Sequence, residues 1–76
     1  MKSIGDPLYR SIILRMKEER VKASISQETL AAKLGKPQNY ISKIERFERR
    51  MDVAEFIRIA RIIGINPSSV MDEAPE

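Results

Sequence analysis

The 76-residue sequence has no cysteine and no histidine, and only three glycines. Without cysteine no disulfide framework forms, which fits a reducing compartment. Lacking both residue types, the chain has no thiolate nucleophile, no imidazole base and no zinc site of the usual kind. Scattered glycines build no glycine-rich phosphate loop. Among the remaining Asp, Glu, Lys, Ser and Tyr side chains no grouping of nucleophile, base and orienting residue is visible. We therefore expect no enzymatic activity, no metal and no cofactor. No apolar run approaches the roughly 20 residues that span a bilayer. The opening stretch MKSIGDPLYR lacks the apolar core of a signal peptide, so we expect no membrane association.

What is present suits one small domain over residues 1–76, with an ordered core at about 6–72. A hydrophobic content of 42% beside a charged content of 33% marks a globular chain, not a disordered one. The net charge is only +3, but it is unevenly spread. Lys33, Lys36, Lys43, Arg46, Arg49 and Arg50 face only Glu45 and Glu48 over residues 33–50. Asp72, Glu73 and Glu76 make the tail acidic. A basic middle with an acidic end suits a polyanion docking on one face.

The spacing of apolar residues predicts an all-α chain of five helices. Residues 1–5 read as a loose lead-in. Asp6-Pro7 then starts a helix, Asp as the cap and Pro at the first helical position. Leu8, Ile12 and Met16 mark its inner side, with Ile13 less strictly placed; the helix runs to about Ala23, and Ser24-Ile25 turns. Ser26 caps helix two, which buries Leu30, Ala31 and Leu34. Gly35 ends it where a left-handed backbone is favoured, and Pro37 starts helix three, carrying Tyr40, Ile41 and Ile44 to about Arg46. Asp52 and Glu55 have capping-box spacing ahead of Phe56, Ile59, Ala60 and Ile63. Gly64 stops that helix. Asn66-Pro67 opens a short fifth with Val70 and Met71, and Ala74-Pro75-Glu76 frays.

The break at Gly35-Lys36-Pro37 divides one helical pattern into two short pieces. It sets them at a steep angle, with Ala31 small enough for close approach. That is a helix-turn-helix, which carries its second helix across the surface. Such a helix fits the major groove of DNA, roughly 12 Å wide, with its first residues against base edges.

The run M-K-E-E-R-V-K-A-S-I-S-Q-E-T-L-A-A-K-L-G, then Y-I-S-K-I-E, then F-I-R-I-A-R-I-I-G-I-N-P-S-S-V resembles the lambda-repressor-like (Xre/Cro-type) helix-turn-helix family over about residues 12–71. The resemblance implies a transcriptional regulator of repressor or controller type, cytoplasmic and nucleoid-associated. It would bind a roughly palindromic operator in double-stranded DNA as a homodimer, with no small-molecule ligand. It implies that Gln38, Asn39 and Lys43 read bases. It also implies that Gln27 contacts a phosphate while buttressing helix three, and that Tyr40, Ser42, Arg46, Arg49 and Arg50 meet the DNA backbone. Arg20 and Glu45 match a partly buried salt bridge between helices one and three.

The residue chemistry agrees independently: an Asn or Gln amide donates and accepts in the geometry of adenine N6/N7, and a Lys donates to guanine or reaches a phosphate. Positions 39 and 43 share a helix face. The apolar surplus at Ile62, Ile65, Val70 and Met71 is the expected dimer face. Phe47 stands where the family usually has Gly. We expect either a longer helix three or a differently shaped loop there, or a ring packed on a partner subunit. The competing reading is an antitoxin-like or adaptor module whose main partner is another protein.

Overall fold

Local chemistry starts each helix. In the computed structural model, which describes residues 5–75, α1 spans Pro7–Lys22, α2 Gln27–Lys33, α3 Asn39–Glu45, α4 Val53–Ile63 and α5 Pro67–Glu73. There is no strand among the described residues. Most of the expected lead-in, residues 1–4, and Glu76 of the expected frayed end lie outside the described residues.

Asp6 accepts from the Leu8 N–H at 2.8 Å, with Pro7 at the first helical position. Ser26 Oγ accepts from the Thr29 N–H at 3.0 Å. Asp52 and Glu55 form the complete capping box, at 2.7 and 2.9 Å. Asn66 accepts from the Ser68 N–H at 2.9 Å. Helix α3 has no side-chain cap; Gln38 is already in helical conformation, and the Tyr40 N–H donates to the Pro37 carbonyl at 3.0 Å.

The first four helices end in one way, each turned by a residue in the left-handed region: Ser24, Gly35, Phe47 and Gly64. In each, the N–H one residue further on reaches back a full turn, from Ile25 to Arg20, Lys36 to Ala31, Glu48 to Lys43 and Ile65 to Ala60. This is the Schellman ending, and it satisfies carbonyls that would otherwise be orphaned. Phe47 therefore neither extends α3 nor reshapes the loop: at φ 62° it takes the conformation expected of Gly. An L-residue there costs about 1–2 kcal/mol. Its ring offsets part of that by packing half-buried on this chain's own core, with the Arg10 guanidinium 4.2 Å from the ring centroid.

The core gathers Ile13 and Met16 of α1, Leu30 and Ala31 of α2, Ile41 and Ile44 of α3, Phe56 and Ile59 of α4 and Val70 of α5. The inner line of α1 differs from expectation. It runs Ile13, Met16, Arg20 at steps of three and four, so Ile13 is fully buried while Leu8 is exposed. Leu8 belongs to the first turn, off that line. Within the expected dimer face, Val70 is 1% exposed, because α5 lays it against α1 and α4. Ile62 and Ile65 are half-buried against the same core, which leaves Met71, 46% exposed, as the outward member.

Candidate nucleic-acid interface

Helix α3 is only seven residues long, too short to persist alone. Its inner face holds it: Ile41 and Ile44 are fully buried, and Tyr40 and Glu45 nearly so. That burial turns Gln38, Asn39, Lys43 and Arg46 to solvent. Asn39, Lys43 and Arg46 lie at steps of four and three, one stripe along the outer face. A cleft between the starts of α2 and α3 is walled by Ser26, Gln27, Glu28, Pro37, Gln38, Asn39 and Ser42. The base-reading residues expected from the sequence are thus brought together at an open edge.

Behind α3, Glu45 joins three helices. Arg20 Nε donates to Glu45 Oε2 at 2.7 Å and Arg20 Nη2 to Oε1 at 3.0 Å, a two-pronged pair whose side chains are 9% and 2% exposed. Arg20 Nη1 donates to the Ile25 carbonyl at 2.7 Å. Gln27 Nε2 donates to Glu45 Oε1 at 2.8 Å. The expected salt bridge is present, and Gln27 does buttress α3 through its last residue.

Helix α3 is anchored at its start by a second carboxylate. The Tyr40 hydroxyl donates to Glu55 Oε2 at 2.7 Å, and Arg49 pairs with the same oxygen at 3.1 Å. The Arg49 guanidinium lies 4.7 Å from the Tyr40 ring centroid. Burial alone would push the Glu55 carboxyl up. The Tyr40 hydroxyl, the Asp52 N–H and the Arg49 guanidinium outweigh it and hold the group down at about 2. Burial, reinforced by the hydrogen bond to Glu55, pushes the Tyr40 hydroxyl up to about 12.

Tyr40, expected to meet the DNA backbone, is 6% exposed and its one hydroxyl proton is committed to Glu55, so it positions α3. Arg49 is already engaged by Glu55 and by the Arg50 carbonyl. Ser42 is half-buried, its hydroxyl turned back to the Asn39 carbonyl at 3.4 Å. Arg50 is exposed. Arg46 is exposed but forms a fork on Glu48, with Nε to Oε2 and Nη2 to Oε1 both at 3.1 Å.

Three participants were missed from the sequence. Glu55 was recognised as half of a capping box, and nothing local announces its tie to Tyr40. Tyr9 accepts from the Met51 N–H at 2.9 Å, fixing the loop ahead of α4 to α1. Glu48 lies outside any helix, so no spacing rule pairs it with Arg46. No helix among the described residues is long and apolar enough to cross a membrane.

A family model described as helix-turn-helix matches residues 16–70. No curated protein and no solved structure matches the chain.

Proposed function

The chain belongs to the helix-turn-helix family of DNA-binding regulators, and from that premise we propose that it is a sequence-specific repressor or controller. It binds a roughly palindromic duplex as a homodimer. One observation carries this reading: Gln38, Asn39 and Lys43 stand exposed along the open edge of α3 while every large apolar residue of that helix is buried. The amides read adenine and Lys43 reads guanine or a phosphate. Arg46 and Arg50 contact phosphates, with the outward parts of Gln27, Ser42 and Arg49 completing the approach.

The longest dimension of the chain, 31 Å, fits two copies side by side with recognition helices about 34 Å apart, one turn of DNA. Met71, with the half-buried Ile62 and Ile65, is the proposed contact between copies.

Selection of bound duplexes from a random pool tests the reading, because it gives specificity, symmetry and half-site spacing together. Gln38→Ala is expected to cost about 1–3 kcal/mol of discrimination at one base position. Arg46→Ala is expected to weaken binding to all sequences and flatten the salt dependence. Binding without sequence preference, or unchanged preference in Gln38→Ala, refutes it. The rival reading, a protein-interaction module, draws on an apolar groove between Tyr9, Ile12, Met51, Val53, Phe56 and Met71. A chain that ignores duplex DNA at low salt yet holds a protein partner establishes that reading instead.

A further inference from the structure

The turn at Phe47 has an electrostatic result. Its left-handed backbone folds the chain back, so that the Glu48 N–H donates to the Lys43 carbonyl at 2.8 Å. The Arg10 guanidinium over the Phe47 ring clamps the turn to α1. Glu48 is thereby seated over the last turn of α3, and its carboxylate meets the Arg46 guanidinium along both prongs at 3.1 Å. A phosphate diester presents the same two-oxygen edge to an arginine.

We propose that Glu48 is an affinity-setting residue that occupies on Arg46 the place a DNA phosphate would take. The inference rests on the DNA-binding reading above. Each docking event exchanges the Arg46–Glu48 pair for an Arg46–phosphate pair and leaves a carboxylate beside the polyanion. Both partners are solvent-exposed, so the pair is weak enough to exchange. The exchange involves no base edge. It lowers binding to every duplex by one factor and leaves the ratio between preferred and scrambled sequences untouched.

The test is titration of a preferred and a scrambled duplex against salt, with wild type, Glu48→Gln, Arg46→Gln and the double variant. Glu48→Gln is expected to tighten binding to both duplexes about two- to fivefold. Its salt slope is expected to steepen by up to about 0.9, because no freed carboxylate takes up a cation in exchange for the one the phosphate releases. In the Arg46→Gln background most of that gain disappears. Three results overturn the proposal: an unchanged affinity and slope, an equal gain with and without Arg46 (a bulk-charge effect), or a gain confined to one duplex (a base contact). Failure of the underlying reading shows separately, as wild type that prefers neither duplex.

Discussion

Replacing Glu45 with Ala removes the acceptor on which Arg20 and Gln27 converge. The structure gives the size of the loss. The carboxylate accepts two bonds from the guanidinium and one from the Gln27 amide, at 2.7, 3.0 and 2.8 Å. The partners are almost wholly out of water, so screening is slight. The variant leaves a buried guanidinium with only the Ile25 carbonyl. Stranding one charge of a buried pair costs about 3–5 kcal/mol. A 76-residue domain has roughly 4–11 kcal/mol of stability in all, so the loss takes a large share of it. At about 4–8 °C per kcal/mol, the melting temperature falls by at least about 12 °C.

Urea unfolding followed by far-ultraviolet circular dichroism reads the loss directly, and an unchanged slope against urea certifies it as a change in stability. A companion Arg20→Met, Glu45→Leu double variant removes both charges and should lie within about 1–2 kcal/mol of wild type in either direction. It keeps the argument testable if the single variant does not fold. A single-variant loss below about 1 kcal/mol would place the pair among exposed ones and refute the reasoning.

Three further perturbations address other parts of the fold. Ser24 is exposed at φ 59°, so Ser24→Gly should relieve backbone strain and raise stability by about 0.5–1 kcal/mol, seen as a higher melting temperature in calorimetry. Glu55, held at about 2 against its ordinary 4.5, contributes stability that is complete above pH 4.5 and is lost as pH falls towards 2. The stability gap between wild type and Glu55→Gln should therefore shrink by up to about 3 kcal/mol across that window in urea titrations, and a constant gap would contradict the assignment. Tyr40 works in the opposite sense. Its hydroxyl, raised from 10 to about 12, stabilises the fold below pH 10 and ceases to as pH rises through 12. Tyr40→Phe should remove that alkaline transition from an ultraviolet absorbance titration.

Helix starts were legible in the sequence because capping is local. Asp6-Pro7, Ser26, Asp52 with Glu55, and Asn66-Pro67 each satisfy N–H groups within three residues. Two of the left-handed ends were legible for the same reason, as Gly35 and Gly64. Ser24 and Phe47 were not, since nothing in either side chain favours positive φ; the fold imposes it by reversing the chain at those points. Which residue of α5 faces the core was not legible, because Val70 and Met71 are neighbours in a seven-residue helix, where either one can satisfy the apolar pattern. Only the packing of α5 against α1 and α4 chooses Val70 for the core. The pairing of Arg20 with Glu45, 25 residues apart, came from family resemblance, not from spacing. Tyr40's tie to Glu55, 15 residues on, came from neither.

The two carboxylates divide the labour on α3. Glu55 grips its first turn through Tyr40, and Glu45 grips its last through Arg20 and Gln27. Both bonds sit on the inner side, with Ile41 and Ile44 between them, so the helix is fixed in place without any contact from its outer face. Ordering it therefore costs nothing further when a duplex arrives, which favours affinity. The outer face near the cleft carries neutral amides at 38 and 39, while the arginines lie beyond the helix at 46, 49 and 50. In the proposed reading, amides discriminate and arginines attract. On that reading separate segments hold them, so substitutions in the loop are expected to alter how tightly DNA is held and changes at 38 and 39 to alter which sequence is preferred.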